Sequence, residues 1–458
     1  MNGHLTRVLT SLWLIVLVAA GLRFGYAWYE QRTIAAEILR GRLQTETGNI
    51  AYSLATGKGF SSPWRRPSGP TAQVAPAYPV LLAGIYKVFG METLGSFFAA
   101  ASMNILFSVA ACVPIFYAGK RIAGAAVASA AAWFWAVLPN ALALPVNWIW
   151  DTSLSALLVA GLLWATLWVA ESPRSRNWWA YGLLWGFALL TNPAIGSLLP
   201  FLIGWAAWRS SGSVLPRLRR MAIAAGCAVL CCLPWTVRNY VAFHKFIPMR
   251  SALGFALYLQ NNDNYDDHPK PWPYNVTRER EYYRFFRIGE SAFMDEEMHK
   301  ALGFILSHPR TELRLCTYRL VSFWTGSPEP LHDFRAADSL FLRAVFVSGF
   351  LLVLGTLSGL AILYRKYHGF FFPVASFPVI YPLIYYVTSG QLRYRHPLDP
   401  VLVVLSALPL WQLFGSWAGN RLPRAASRSH AARPPMLKSL PALSLTVKLL
   451  LFRRIKRS

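Results

Sequence analysis

The sequence predicts an all-α polytopic membrane protein with about ten transmembrane helices. Two observations support this class. Of the 458 residues, 55% are hydrophobic and only 14% are charged, and apolar runs near the roughly 20 residues that cross a bilayer recur along the chain. A soluble protein would have to bury every one of these runs in one core. A membrane β-barrel would show short alternating strands, which the sequence lacks.

The predicted spans follow the apolar runs in chain order. They cover residues 8–28, 94–118, 122–140, 152–171, 178–192, 196–208, 221–237, 340–363, 369–387 and 398–417. The first run follows a short basic start and has no clear small-residue cleavage site, so we expect an uncleaved span rather than a signal peptide. The short runs near 178–208 are broken at 191–197, which leaves a re-entrant segment open. Residues 77–91 predict a short helix at the membrane interface.

Positive charge in short loops predicts the orientation of the spans. The basic residues of the loops predicted to face the cytoplasm are Lys120, Arg121, Arg174, Arg176, Arg209, Arg217, Arg219, Arg220, Arg365 and Lys366. Alternation then puts the N-terminus inside. It leaves five outer segments, which are residues 29–93, 141–151, 193–195, 238–339 and 388–397. The first outer segment is itself basic, and because a loop of that length decides topology weakly, its charges can instead hold an anionic ligand.

The net charge of +25 does not indicate nucleic-acid binding. Much of the excess lies in short loops and in the tail, where basic residues set orientation and meet anionic lipid. We expect a membrane domain over 1–417, with outer loops 29–93 and 238–339 as the roof of the site. Residues 418–458 predict a basic, partly disordered cytoplasmic tail, ending in an amphipathic helix over 439–458. The five cysteines have no metal-ligand spacing and indicate no disulfide framework.

Two outer segments have distinctive local patterns. Residues 296–320 show helical spacing with a stop and restart at His308–Pro309. The stretch Gly69–Pro79 is uncharged and rich in proline and glycine, which predicts a stiff, extended coil. This coil is either a rigid entry to a membrane helix or a wall of a binding site at the membrane surface.

Two acidic residues of the outer segments could perform chemistry. Glu46 lies about one helical turn before Ile50, whose neighbours form an apolar stripe, and the alternative is a solvated acid that stabilises a helix N-terminus. Asp151 heads a predicted span, and the alternative is a simple N-cap. Two acids on one membrane face can deprotonate a hydroxyl, orient it or hold a divalent cation, so a divalent metal is possible.

Basic residues lie at the same predicted face. Arg238 and Arg250 flank the exit of one span, and Arg393, Arg395 and His396 crowd a short loop just before Asp399. Arginine binds phosphate oxygens in a two-pronged way, and ionisable groups at a membrane boundary are functional candidates. The alternatives are snorkelling to lipid headgroups and a local Arg–Asp pair that fixes the loop. The joint pattern of acids and arginines suits a lipid-linked phosphate donor.

The chain resembles the polyprenyl-phosphate-dependent glycosyltransferases of the GT-C fold, closest to the bacterial family 39 branch that includes protein mannosyltransferases and aminoarabinose transferases. The resemblance covers about residues 5–417 and rests on "ETGNIAYSLATGKGFSSPW", "GPTAQVAPAYPVLLAGIYKVFG", "WDTSLSALL", "GLLWGFALLTNPA", "PWTVRNYVAFHKFIPMRS" and "YRHPLDP". It implies a GT-C-like bundle with interfacial helices in the first outer loop. Many relatives have an Asp–Glu pair where this chain has Thr45–Glu46, which leaves a second carboxylate and metal dependence open.

The resemblance also implies roles for single residues. Glu46 matches the catalytic acid of the first outer loop, and Asp151 resembles the acid that heads the later outer loop. Lys58, Arg238 and Arg393 match donor-phosphate contacts by place. The further predicted substrate contacts are Tyr78, Asn239, Arg250, Arg395 and His396. The proline-rich coil is expected to line the cavity above the membrane.

The predicted function is transfer of a sugar from a polyprenyl-phosphate donor to an acceptor hydroxyl on the outer, periplasmic face of the bacterial cytoplasmic membrane. The acceptor is a lipid, a glycan or a protein. Glu46 acts as the general base, and arginines neutralise the departing phosphate. The alternatives are a membrane transporter or lipid flippase, and a scaffolding membrane protein. Transporters usually place charges near the bilayer midplane and show repeated halves, and neither feature is evident here.

Overall fold

The computed structural model describes residues 11–39, 43–64, 66–172, 174–262, 279–327 and 329–417. Within these ranges the chain is helical, and one isolated antiparallel bridge pairs Ser61 with Pro70. The predicted all-α class is therefore confirmed. The predicted tail, with its amphipathic helix, lies outside the described residues. So do Arg40, Arg42 and Arg65, three of the basic residues of the first outer segment that could hold an anionic ligand.

The described residues of the first half of the chain form ten helices. They are α1 (Leu12–Leu39), α2 (Glu46–Ala55), α3 (Ala77–Phe89), α4 (Leu94–Ala110), α5 (Cys112–Ala123), α6 (Ala125–Val137), α7 (Pro139–Asn147), α8 (Thr152–Val169), α9 (Ser175–Thr191) and α10 (Leu199–Arg209). A 3₁₀ turn, Pro193–Leu198, joins the last two. The predicted interfacial segment 77–91 is thus a helix, α3.

Ten more helices follow. They are α11 (Val214–Phe243), α12 (Leu253–Tyr258), α13 (Glu279–Ser307), α14 (Pro309–Thr325), α15 (Pro330–Ala336), α16 (Leu340–Lys366), α17 (Phe371–Ile380), α18 (Leu383–Val387), α19 (Leu392–Arg395) and α20 (Asp399–Trp417). Two short 3₁₀ turns, His368–Phe370 and His396–Leu398, lie among them.

Six helical stretches in the described part of the chain are long and apolar enough to cross a membrane. The number is seven if α6 and α7, which meet at a bend of 47°, count as one span. The chain is a multi-pass membrane protein, although this number is below the ten runs predicted. Part of the difference lies at 178–208, where Asn192 caps a 3₁₀ turn that begins at Pro193. The break divides that region into α9, of 17 residues, and α10, of 11 residues.

The first outer segment folds into α2 as its pattern predicts. Thr45 is the N-cap, and its hydroxyl oxygen accepts a hydrogen bond of 3.1 Å from the backbone N–H of Gly48. This bond satisfies one of the free N–H groups at the start of a helix. Ile50 and Ala51 of the predicted apolar stripe are buried. Glu46 lies one turn before Ile50 on the same side of the helix and is half-buried.

The outer segment 238–339 is mostly helical where it is described. α13 ends at Ser307 and α14 restarts at Pro309, so the predicted stop and restart at His308–Pro309 is confirmed. Within α13 the backbone breaks at Gly289, which has φ 79° and ψ 162°. Only glycine adopts this region readily, because it has no Cβ to clash with the backbone. The break starts a second helical stretch at Glu290.

Two hydrophobic clusters stabilise the described structure. The large one joins the membrane helices and includes the fully buried Trp135, Trp178 and Trp185. A small one lies in the outer segments, where Phe285 and Phe293 of α13 pack with Phe255, and Trp64 contacts the edges of these rings. By its contacts the chain divides into Met1–Leu413 and Phe414–Ser458, and of the second unit the structure describes only 414–417.

Candidate functional site

The proline-rich coil of the first outer segment is held by side chains from other outer segments. Arg238, near the end of α11, donates hydrogen bonds to the carbonyl oxygens of Thr71 at 2.7 Å and Phe60 at 2.6 Å. Arg250 donates through Nε to the carbonyl oxygen of Gln73 at 2.8 Å. Both arginines therefore bind the main chain of the coil, and Arg238 also binds the main chain of Phe60, which precedes it. The coil is thus fixed to other segments of the chain rather than being a free linker, and its predicted part as a wall of a binding site stays a prediction.

Glu290 completes this attachment and was missed by the sequence analysis. Its Oε1 accepts hydrogen bonds of 2.7 Å from the backbone N–H of Ala72 and from the hydroxyl of Ser251. The residue is only 4% exposed, and burial raises the pKa of its carboxyl group, while hydrogen bonds and the charge of Arg238 oppose that rise. The one sequence signal was the glycine that breaks α13 immediately before it.

Asn239 supports the same region from α11. Its side-chain amide is fully buried, donates to the carbonyl oxygen of Ile247 at 3.0 Å and accepts from Arg238 at 3.1 Å. The indole of Trp235 and the hydroxyl of Thr236 bind the next carbonyl oxygens along the chain. The end of α11 thus fixes the segment that leads to Arg250. The substrate contact predicted for Asn239 stays a prediction.

Arg393 lies among three aromatic rings. Its guanidinium carbon is 4.8 Å from the ring centre of Trp148, 5.4 Å from that of Trp150 and 4.8 Å from that of Tyr394. It also donates to the Tyr394 hydroxyl at 2.9 Å. A cation over aromatic faces is attracted by the ring quadrupoles, more strongly where water is excluded. The rings therefore fix the orientation of this arginine against the loop 147–150.

Asp151 follows that loop directly. Its side chain does not cap α8, in contrast to the N-cap alternative, and Oδ2 instead accepts a hydrogen bond of 3.1 Å from the Ser155 hydroxyl. Burial raises the pKa of Asp151, and the charge of Arg250, the Ser155 hydrogen bond and the charge of Arg393 oppose that rise. The structure therefore brings this carboxylate within electrostatic reach of the predicted phosphate contact Arg393 and the predicted substrate contact Arg250.

A cavity of about 260 Å³ lies where the first two outer segments meet. Leu43 and Thr45 precede α2 on one side, Leu82 of α3 contributes another wall, and residues 147–150 close it. Glu46 directly follows Thr45, so the start of α2 borders the cavity. The loop that forms the opposite wall is the one that holds Arg393 and leads into Asp151.

Lys58 lies apart from this cavity. It is exposed beyond the far end of α2, in a turn between Gly57 and Gly59, and its ammonium group is 6.0 Å from the ring centre of Tyr52. A ten-residue helix is about 15 Å long, so the two ends of α2 face different parts of the outer surface. The predicted phosphate contact of Lys58 stays a prediction.

Tyr78 is buried instead of lining an open surface. Its hydroxyl donates to Asn104 at 3.0 Å, and the amide nitrogen of Asn104 donates to the carbonyl oxygens of Pro145 and Trp148 at 3.3 Å each. Burial raises the pKa of the Tyr78 hydroxyl. This chain of hydrogen bonds connects α3 and α4 to the loop that contains Trp148. The structure thus gives Tyr78 a part in positioning that loop, and direct substrate contact stays a prediction.

Arg395 and His396 belong to a buried polar cluster. Arg395 donates through Nε to Asp399 at 3.0 Å and also binds the carbonyl oxygen of Trp324. His396 Nδ1 is 3.2 Å from Asp399 Oδ2, which also accepts from Asn140 at 3.2 Å. The local Arg–Asp pair considered as an alternative is present. The predicted substrate contacts of both residues stay predictions.

Among the described residues, no group of three or more His, Cys, Asp and Glu side chains could hold a metal ion. The described cysteines are free thiols.

Comparison with known proteins agrees with this architecture. The model of the dolichyl-phosphate-mannose-protein mannosyltransferase family matches residues 73–237. The fold resembles that of the oligosaccharyltransferase of Archaeoglobus fulgidus in the apo form, with a TM-score of 0.52 and 11% identity over 90% of this chain and 53% of that one. The oligosaccharyltransferase AglB of the same organism, in complex with an inhibitory peptide and a dolichol-phosphate, gives a TM-score of 0.47 and 13% identity over 90% and 52%. No curated protein sequence is significantly similar.

The chain thus spans about half the length of the archaeal enzyme, and the likeness to it concerns the fold. Together with the family model, this likeness confirms the predicted GT-C fold and supports the predicted enzyme class, a membrane glycosyltransferase. A transporter or lipid flippase is not favoured.

Proposed function

We propose that this protein transfers a sugar from a polyprenyl-phosphate donor to an acceptor hydroxyl of a lipid, glycan or protein. The family whose model matches residues 73–237 is described by a dolichyl-phosphate sugar donor and a protein acceptor. The observation on which the proposal mainly depends is the half-buried carboxylate of Asp151, within electrostatic reach of Arg250 and Arg393, next to a cavity that the start of α2 borders.

The proposed location is the outer face of a bacterial cytoplasmic membrane, which makes the site periplasmic. The predicted orientation puts residues 29–93, 141–151, 238–339 and 388–397 outside. Each of these four outer segments supplies part of the site described above. Residues 1–417 form the membrane domain in this proposal, and 418–458 form the cytoplasmic tail.

In the proposed reaction the acceptor oxygen attacks the anomeric carbon of the donor sugar. The new oxygen–carbon bond forms as the bond from the anomeric carbon to the phosphate oxygen breaks, and its electron pair stays on the phosphate. The proton of the acceptor hydroxyl moves to the carboxylate of Glu46, which acts as general base. Direct attack inverts the configuration at the anomeric carbon.

The departing phosphate requires charge neutralisation more than a proton. Arg393, held by its three aromatic rings, and Arg250 are the arginines that act on Asp151, so we assign them the phosphate. Asp151 balances and orients these guanidinium groups. Arg238 supports the coil by binding the carbonyl oxygens of Phe60 and Thr71. Lys58 and Arg238 are further proposed contacts for the donor.

The substitution Glu46→Gln tests this proposal. The purified variant should fold and lose transfer by about 10²–10⁴-fold, the usual contribution of a general base. Transfer is measured with radiolabelled polyprenyl-phosphate sugars and membrane fractions as the source of acceptor. Glu329→Gln, at an exposed acid of the outer segment 238–339, is the matched control and should keep wild-type turnover. Wild-type turnover in the Glu46→Gln protein would show that another group is the base.

A further inference from the structure

The cavity between α2 and the loop 147–150 has an unusual lining for a site that would bind a sugar. Five of its seven lining residues are apolar, and two of these are the indoles of Trp148 and Trp150. The two polar lining residues already have partners. The Thr45 hydroxyl oxygen accepts from Gly48, and the Asn147 amide donates to Tyr26 at 3.0 Å.

The size and position of this cavity argue for a small group rather than a lipid chain. Pockets for drug-sized ligands measure about 300–1,000 Å³, so 260 Å³ suits one ring better than an oligosaccharide or a polyprenyl tail. Of the lining residues, only Asn147 belongs to a helix that counts toward a membrane span. A prenyl chain must continue into the bilayer, and the walls of this cavity come from the outer segments instead.

The same two indoles also locate the phosphate. Both rings contact the guanidinium group of Arg393 and both line the cavity. A donor whose phosphate is bound by Arg393 would therefore have its next group, the sugar, at the cavity. The C–H bonds on one side of a sugar ring form an apolar face, which packs on an indole by dispersion and leaves few hydroxyls to satisfy.

We propose that the cavity receives the sugar ring of the donor, and that Trp148 and Trp150 select a single sugar ring with a continuous C–H face. This inference rests on the proposed function and adds to it the determinants of sugar choice. The two tryptophans touch the substrate in this arrangement, and the adjacent Arg393 binds the phosphate.

The experiment compares the wild-type protein with Trp148→Ala, Trp148→Phe and Trp150→Ala. Trp179→Ala, at an exposed indole of α9 that is 49% accessible, is the matched control. For each purified protein, KM is measured for donors that share one prenyl phosphate but differ in the sugar, and for donors that share one sugar but differ in prenyl length. The inhibition constant of polyprenyl phosphate without a sugar is measured in parallel.

We expect both alanine variants to raise KM about tenfold for donors with a continuous C–H face, which corresponds to about 1.4 kcal/mol. KM should change less for donors with hydroxyls on both faces, and the preference between the two donor types should therefore shrink. Trp148→Phe keeps an aromatic face and should lie between the wild type and alanine. The inhibition constant of the sugar-free polyprenyl phosphate should change less than twofold.

Three results would overturn the inference while leaving the proposed function intact. The first is an equal rise in KM and in the inhibition constant, which would mean that the indoles only support Arg393. The second is a change in the preference for prenyl length, which would make the cavity a lipid site. The third is an unchanged sugar preference in all three variants. A wild-type protein that transfers sugar from no polyprenyl-phosphate donor would instead reject the proposed function, and the inference with it.

Discussion

Arg393 is a constrained cation of the proposed site, because three ring centres lie within 5.4 Å of its guanidinium carbon. Planarity allows it to stack on these rings and still present donors to a phosphate, whereas the compact ammonium group of lysine cannot do both. The charge alone therefore does not define the role of this residue.

The substitution Arg393→Lys should consequently raise KM for the donor about tenfold, which corresponds to about 1.4 kcal/mol, with the smaller effect on kcat. Steady-state kinetics with a labelled donor measure the change. Arg310→Lys, at an exposed position in α14, should leave both constants unchanged. A wild-type KM in Arg393→Lys would mean that the stacked geometry is irrelevant to donor binding.

Asp151 shows the usual conflict between stability and activity at a functional carboxylate. Burial raises its pKa in the folded protein above the usual range of an aspartate. The contribution of this group to stability is therefore complete below the unfolded-state pKa and is lost as the pH rises through the folded-state pKa. At neutral pH the ionised carboxylate destabilises the fold.

Asp151→Asn should thus raise the melting temperature at pH 7.5 while it abolishes most transfer, because the amide cannot balance the arginines. The stability difference should close as the pH approaches 4. Thermal unfolding of the detergent-purified proteins between pH 4 and 8 measures it, with Asp338→Asn, an exposed acid, as the control. A lower melting temperature than wild type at pH 7.5 would contradict the argument.

At the scale of single elements, the sequence predicted helices better than the breaks within them. The helical spacing of 296–320 and the proline after His308 were sufficient to predict where α13 ends and α14 begins. The break at Gly289 was not predicted, because a lone glycine in a helical pattern is tolerated in most helices. Its φ of 79° shows that here it is required by the backbone, and it places Glu290 against the coil.

Gly289→Ala should therefore destabilise the protein by about 1–3 kcal/mol, the typical cost of a non-glycine residue in this backbone region. Gly303→Ala is a matched control on the same helix. That glycine is exposed, and an added Cβ would meet nothing within 4 Å, so the change should be neutral or stabilise by about 0.5–1 kcal/mol. Chemical unfolding of both variants in detergent compares them, and equal stabilities would contradict the expectation.

At the scale of the whole molecule, the sequence located the charged groups of the site but not their surroundings. Asp151, Arg250 and Arg393 were found because charge at a membrane boundary is conspicuous. The aromatic rings around Arg393 were not predicted, since tryptophans at a membrane interface are common without any such contact. Their convergence depends on how distant segments pack, which local periodicity does not contain.

The cluster around Asp399 connects distant parts of the chain in a similar way. It joins Arg395, His396, Asn140 of α7 and the end of α14 through the carbonyl oxygen of Trp324. Removing one charge from a buried pair leaves the other charge without compensation. The same substitution that stabilises the protein at position 151 is therefore expected to have the opposite effect here.

Asp399→Asn should destabilise the protein by about 3–5 kcal/mol, or reduce the yield of folded protein where the loss is too large to measure. Thermal unfolding against the exposed control Asp338→Asn is the test. An unchanged melting temperature would mean that this cluster does not connect the helices energetically.

The attachment of the coil also determines which replacements it can accept. Arg238, Arg250 and Glu290 all reach backbone atoms of residues 60–73 rather than side chains. Hydrogen bonds to the backbone depend on the direction of the peptide groups and not on the type of side chain. The edge of a β-sheet binds an added strand in the same way. The exposed Pro70 can therefore diverge widely in sequence, whereas Gly69, with a φ of 79°, does not accept a side chain without strain. Ala72 cannot become proline, because the lost N–H is the group that Glu290 binds.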